Sequence, residues 1–202
     1  RKRLEDNQLG RIYQIVTRRQ SPFPARISDV GVVKDLATHD VDLAAWLAGA
    51  PYELVFAQTA HQSGREHEDM VTVSGRFANG ILVHHLVNWL TPFKERLTVV
   101  TGEHGALVAD TGMGDLTFFE NGDFPVQLDQ VAAFRGVSEG QMIRYAFPKQ
   151  EPLAVEQANF RDAILGVPSD YVTMQQGLAA LEVVEGILES ADTGESVRFV
   201  NE

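Results

Sequence analysis

The feature that most limits the fold is a run of alternating segments between Tyr52 and Glu120. Tyr52–Ala60, Met70–Phe77, Ile81–Trp89, Glu95–Thr101, Ala106–Asp110 and Leu116–Glu120 are short and rich in β-branched and apolar residues. Alternation of this kind puts one row of side chains on a core and the next on the opposite face of a sheet. Ala78-Asn79-Gly80 joins two of the segments, and Asn-Gly is the pair that tight antiparallel hairpins favour. Asn121-Gly122 reads as a second turn, and Gly10–Thr17 as an earlier strand. Ser21–Ile27 carries two prolines and reads as a loop. A helix is expected over about Val33–Ala48, stopped by Gly49 and Pro51. Two more close the chain, Leu153–Leu165 and Thr173–Ala191, with Thr173 as N-cap and Gly194 just past the end. In the last one Leu178, Leu181, Val184, Ile187 and Leu188 are expected on one side, while Gly122–Gln150 shows no clear period. The order defines an α+β fold, an open and mainly antiparallel sheet with helices packed on one face. Its second face then meets water or another subunit. Residues 1–202 are read as a single domain.

Composition excludes several classes. A net charge of −11 argues against a nucleic-acid binder, which needs a basic face. With no cysteine there is no disulfide and no thiol catalysis, and zinc could use only His and carboxylates. The longest apolar runs, Leu43–Ala50 and Ile81–Leu90, are too short or too polar to span a bilayer, and no secretory signal opens the chain. A cytoplasmic protein without membrane contact is expected. Arg1, Lys2, Arg3, Arg11, Arg18, Arg19 and Arg26 crowd the first stretch, where an anionic small molecule could use some of them. Arg1–Arg3 read as a solvated terminus.

Chemistry concentrates in Asp29–Gly49. On a helix, Asp35 and His39 share a face, and Asp42 and Trp46 continue it. A histidine can take a proton from a hydroxyl near neutral pH, and a carboxylate one turn away can orient it or hold a second hydroxyl. By spacing alone, a local helix pair is the better explanation of Asp35 and His39. Leu36, Leu43 and Leu47 form the neighbouring apolar stripe with Asp40 on it, and a carboxylate there needs a partner. His61 and His67 lie in a polar loop with no metal-ligand spacing, so no metal is expected. His84 and His85 point to opposite faces of a strand, one of them towards the core or a subunit interface. Gly112-Met113-Gly114-Asp115-Leu116-Thr117 lacks the third glycine of a dinucleotide motif and reads as a turn. Trp46 and Phe118-Phe119 read as packing residues.

Gly31, Asp35, His39, Asp40 and Asp42 together resemble the signature of the glucose–fructose oxidoreductase and inositol dehydrogenase (Gfo/Idh/MocA) family. The likeness extends through Asn88–Arg96, Thr101–Gly105 and the ending from Gly177 to Gly194, nearly the whole chain. Ser21-Pro22-Phe23-Pro24, Arg26 and Ile27 resemble the UDP-N-acetylglucosamine 3-dehydrogenases within it. The resemblance implies an NAD(P)-dependent oxidoreductase acting on a hydroxyl of a sugar or sugar nucleotide. His39 would be the general base, and Asp35 would orient it or hold a neighbouring hydroxyl. Arg26, Asn88, Lys94 and Arg96 would face the sugar nucleotide, the two guanidiniums being best suited to a diphosphate. A homodimer or homotetramer through the open sheet face is implied as well. The family also has an N-terminal Rossmann domain with Gly-x-Gly-x-x-Gly and a catalytic lysine in Glu-Lys-Pro, and neither motif occurs here. NAD or NADP is therefore expected to be held mainly by that other domain, leaving this part inactive alone. Since Arg1 begins within the pattern, a cut C-terminal part is expected rather than a gene that lost its first domain. Two other readings stay open: a non-catalytic sugar-binding or scaffold member of the same fold, and a metal-dependent hydrolase using His39, Asp35 and a loop histidine.

Overall fold

The computed structural model describes residues 1–27, 29–122 and 138–199. After a short helix α1 (Lys2–Glu5) comes β1 (Ile12–Pro22), then a π-helical turn (Val33–Ala37) that runs straight into α2 (Thr38–Ala48). There follow β2 (Tyr52–Ala60), β3 (Met70–Phe77), β4 (Leu82–Asn88), β5 (Leu90–Gly102), β6 (Gly105–Asp110), β7 (Asp115–Gly122) and β8 (Ser138–Tyr145). Helices α3 (Pro152–Ile164) and α4 (Met174–Thr193) and a final β9 (Val197–Arg198) complete the chain. One 9-stranded sheet forms in the order β8-β7-β6-β5-β1-β4-β3-β2-β9. Every described pairing is antiparallel except that of β1 with β4, which places Thr17 beside His85. The expected α+β architecture is thus present, with β1 inserted at the centre. Among the described residues no helix is long and apolar enough to cross a membrane.

Several boundaries differ from the expectation. β1 continues through Ser21 and Pro22 because a register shift against β5 between Gln20 and Pro22 admits the proline at the strand's end. β5 starts at Leu90 rather than Glu95. Asn121 and Gly122 end β7, paired with β8, instead of turning. β8 lies in the stretch without a clear period, and 123–137 fall outside the described residues. Arg1 is no free terminus: its Nη1 donates to the carbonyls of Trp46 and Leu47 at 2.6 and 3.0 Å. Those are among the last carbonyls of α2, where a cation also complements the helix dipole.

The core lies between one sheet face and α2 and α4. Ile15, Val55, Val71, Val83 and Val87 meet Val33, Val41, Ala44, Val184 and Ile187 there, all fully buried or nearly so. Thr173 caps α4 with a reciprocal Gln176 contact, and Gly194, at φ 72°, ends it. Of the expected side of α4, Val184 and Ile187 are buried and Leu188 is half-buried, but Leu178 and Leu181 are not. Ala180, Val183, Val184, Gly186, Ile187 and Ser190 go inward, while Leu178 and Leu181 are 59% and 51% exposed. Small residues let the helix close on β2, where Ser190 Oγ accepts the Ala57 N–H (2.9 Å) and donates to the Glu195 carbonyl (2.6 Å). α3 buries no residue, so Phe160 and Ile164 add to this apolar exposure. Trp46 is half exposed rather than packed, and of the phenylalanine pair only Phe118 is buried. On the sheet's other face Phe56, Leu82, Leu86, Phe119 and Met142 stand exposed.

Of the two adjacent histidines, His85 is the one in the core. Its Nδ1 lies 2.7 Å from Thr17 Oγ1 and its Nε2 2.9 Å from the Tyr52 hydroxyl. Tyr52 in turn donates to the Val41 carbonyl of α2 at 3.4 Å. The ring is therefore neutral, accepting from Thr17 and donating to Tyr52. Burial, with a smaller contribution from the neighbouring His84, pushes its pKa down to about 3. The unfolded chain takes up this proton near its ordinary 6.5 and the folded chain does not, so stability falls as pH drops from 6.5 towards 3. Urea unfolding is expected to lose about 2 kcal/mol between pH 6.5 and pH 5 through this residue. His85→Phe should flatten that part of the profile, measured against the parent chain.

Candidate active site

The site is built where the π-helical turn enters α2. Val32 N–H donates to the Glu68 carbonyl at 2.9 Å, and Val33 N–H donates to Glu68 Oε1 at 3.0 Å. A buried side chain from the β2–β3 loop thereby satisfies helix-start donors that would otherwise be orphaned. Gly31 is required for this, because a Cβ there would collide with the Glu68 carboxylate. Thr38 N–H reaches back to the Val33 carbonyl, five residues earlier, which makes the first turn wide. Such π turns recur at functional sites. Half-buried Asp35 sits in the wide turn and exposed His39 in the first turn of α2, so both ride on one rigid element.

Asp40 fixes that element to the sheet. Arg19, on β1, donates to Asp40 Oδ1 from Nε (3.0 Å) and Nη2 (2.9 Å). The side chains are only 13% and 4% exposed. This is the partner that a carboxylate in an apolar stripe requires. Asp40 Oδ2 is buried without a hydrogen-bond partner among the described residues. Burial raises the pKa of Asp40, opposed chiefly by the Arg19 hydrogen bond and charge, and further by His39 and Arg96. Burial likewise raises Asp42, opposed by His39. His39 thus stands within electrostatic reach of two carboxylates.

The remaining expected site residues divide. Arg96 is the register partner of Arg19 across β1 and β5, so it stands on the helix side of the sheet near Asp40, exposed. Lys94 lies two residues nearer the start of β5, also exposed. Asn88 is not brought to this cluster as a free side chain: its Oδ1 accepts the N–H groups of Leu90 and Thr91 at 2.9 and 3.2 Å and holds the turn into β5. Arg26 is exposed in the turn after β1 and makes no ion pair among the described residues. Arg19 and Glu68 are the site-building residues that sequence reading missed. Asp40 in its apolar stripe was the signal for the first, and Glu68 carried none. Gly112 and Gly114 lie in the turn between β6 and β7, with Gly112 N–H on Asp110 Oδ1, and form no phosphate cradle. No group of three or more His, Asp or Glu able to hold a metal occurs among the described residues.

Sheet, π turn and Asp–His helix together make an open-sheet α+β domain. The chain belongs to the GFO/IDH/MocA C-terminal domain family, whose model matches residues 1–108. None of the curated proteins compared with it matches. Similar solved structures include UDP-N-acetylglucosamine 3-dehydrogenase GnnA from Acidithiobacillus ferrooxidans, at TM-score 0.79 and 21% identity, over 95% of this chain and 58% of that one. The aldose-aldose oxidoreductase from Caulobacter crescentus, complexed with glycerol, matches at 0.77 and 18%, over 98% and 58%. The WlbA dehydrogenase from Bordetella pertussis, in complex with NADH and UDP-GlcNAcA, matches at 0.70 and 23%, over 100% and 58%. The chain therefore spans under two thirds of the length of these relatives.

The Arg19–Asp40 pair sets the first test. Arg19→Met strands a buried carboxylate and is expected to cost about 3–5 kcal/mol in urea unfolding. Arg19→Met combined with Asp40→Leu should recover most of that loss, and a double variant as unstable as the single one would show that the pair is not what holds α2.

Proposed function

We propose that this chain is the substrate-binding and subunit-contact part of an NAD(P)-dependent dehydrogenase that oxidises a hydroxyl of a sugar or sugar nucleotide. The observation that carries the reading is the placement of Asp35 and His39 on one rigid element, beside Arg96, in a chain of this family. UDP-N-acetylglucosamine, oxidised at its 3-hydroxyl, is the substrate we favour. It is the substrate named for GnnA.

In this reading His39 takes the proton of the reacting hydroxyl. The Asp40 and Asp42 carboxylates stand within electrostatic reach of the ring. Asp35 orients the ring or holds the neighbouring hydroxyl. Arg96 and Lys94 take the diphosphate, with Arg26 as a further candidate, and Asn88 shapes the turn beneath them. No glycine-rich turn leading from a strand into a helix occurs among the described residues, which therefore offer no cradle of that kind for a dinucleotide. NAD or NADP, when bound by the rest of the enzyme, supplies the acceptor for the hydride. The chain alone should then not turn over.

The exposed apolar faces have a place in the same reading. The α3–α4 surface, with Phe160, Ile164, Leu178 and Leu181, suits the rest of the enzyme. The open sheet face, with Phe56, Leu82 and Leu86, suits a second subunit in a homodimer or homotetramer.

Two measurements follow. The complete enzyme, given NAD and UDP-N-acetylglucosamine, should produce reduced nicotinamide, and His39→Asn should lower the rate by about 10²-fold or more. Turnover only with another sugar or an inositol would keep the class and overturn the favoured substrate. Saturable binding without turnover of any polyol would favour a non-catalytic sugar-binding member. Leu86→Glu should convert the oligomer to a smaller species by light scattering with the circular dichroism unchanged, and an unaltered mass would move the interface elsewhere.

A further inference from the structure

A half-open cavity lies at the same end of the sheet. It has a volume of about 300 Å³ and is lined by Phe23, Ala25, Ile27, Val30, Arg65, Glu66, His67 and Trp89. Two of these walls carry buried donors with no hydrogen-bond partner among the described residues, Trp89 Nε1 and Arg65 Nη1. Trp89 is only 3% exposed. Buried polar groups are almost always paired, so two orphaned donors on residues that line one cavity call for an acceptor.

The surroundings fix both donors in advance. Phe23 packs edge-to-face on Trp89, with centroids 5.3 Å apart and planes at 79°. The Arg65 guanidinium lies over the same Phe23 ring, 2.9 Å from its centroid. The Trp89 backbone N–H, not its indole, donates to the Asp69 carbonyl at 2.9 Å. The Asp69 carboxylate in turn gathers the loop that carries Arg65, accepting Gln62 N–H on Oδ1 (3.0 Å) and Ser63 N–H on Oδ2 (2.6 Å). The loop is thereby held on both sides of Arg65.

We propose that this cavity binds a small carboxylate, its oxygens accepting from the Arg65 and Trp89 side-chain N–H groups. Arg65 forms no ion pair within 4.0 Å among the described residues, although its charge reaches Asp69. A cation with unspent donors favours an anion over a neutral carbonyl. Phe23, Ala25, Ile27 and Val30 make the remaining wall apolar. A phosphate would bring more acceptors than these two donors satisfy, whereas a carboxylate on a small carbon frame matches both donors and wall. Glu66 is exposed at the rim and disfavours a second negative charge on the ligand.

The chain has two tryptophans, so ¹⁵N-labelled indole gives two signals, assigned by Trp46→Phe. Acetate and glucuronate are titrated separately, with sodium chloride at matched ionic strength. The proposal expects a saturable shift of the Trp89 signal with at least one carboxylate, and the tighter of the two tells a free acid from a sugar-borne one. Arg65→Met should weaken that binding by about tenfold or more. Ala25→Leu keeps both donors but narrows the cavity, and should also lose it, which carries the test if Arg65→Met fails to fold. An equal shift with chloride, no saturable shift with either carboxylate, or undiminished binding in both variants overturns the proposal.

Discussion

The Arg19–Asp40 pair is the joint on which the rest of the arrangement depends. It spans the only layer boundary that matters for the site, from the central strand β1 to the first turn of α2. Apolar packing can press a helix on a sheet, but it permits sliding and rotation by a fraction of a turn. Two N–H donors converging on one carboxylate oxygen in a buried setting do not. Breaking such a pair is costly because the charge left behind has no water to turn to. The pair therefore fixes the rotation of α2, and with it the direction of His39, one residue earlier. Below, the Thr17–His85–Tyr52 chain ties β1, β4 and β2 to the Val41 carbonyl, one residue later. The helix is held by polar contacts at two successive residues, Asp40 and Val41.

A second constraint acts at the helix start. Glu68 satisfies the N–H of Val32 through its backbone and that of Val33 through its side chain, and Gly31 leaves the room. The loop between β2 and β3 is thereby coupled to the turn that carries Asp35. Asp69, the next residue, orders the rest of that loop and receives the Trp89 backbone N–H. One short acidic stretch thus supports both the Asp–His element and the cavity beside it.

The sheet could be read from alternation because period two is a property of single strands. The helix ends at Gly49, Thr173 and Gly194 could be read because caps are local chemistry. Asp40 announced that it needed a partner, since a carboxylate among Leu36, Leu43 and Leu47 has no local solution. Which residue answered it depends on β1 lying under α2, a long-range pairing with no local signal. The π turn was hidden because a single widened turn barely disturbs a helical period. Leu178 and Leu181 share a side with Val184 and Ile187 by period yet stand exposed, because hydrophobicity marks what can be buried, not which part of a helix meets the sheet. The small residues Ala180, Gly186 and Ser190 decided that, by letting α4 close on β2. Asn88 reads as a binding residue from its motif, and the structure adds that its Oδ1 holds the turn into β5, a role with no local signal.

Structural ion pairs take up two of the four basic residues at one end of the sheet. At this end of the sheet stand Arg18, Arg19, Lys94 and Arg96. Arg19 is committed to Asp40. Arg18 lies on the opposite sheet face, 3.2 Å from Glu95. Arg96 and Lys94 have no ion pair among the described residues. In a chain of net charge −11, a guanidinium left unspent beside a buried carboxylate and an exposed histidine is unusual. Its own side of the sheet offers it Asp40, whose Oδ1 already accepts from Arg19. An anionic ligand at Arg96 would therefore compete with no existing ion pair, whereas one at Arg19 would have to break the joint that holds α2. The same arithmetic separates the two donor sets at this end of the sheet: Arg96 serves the face that carries His39, and Arg65 serves the cavity walled by Phe23 and Trp89.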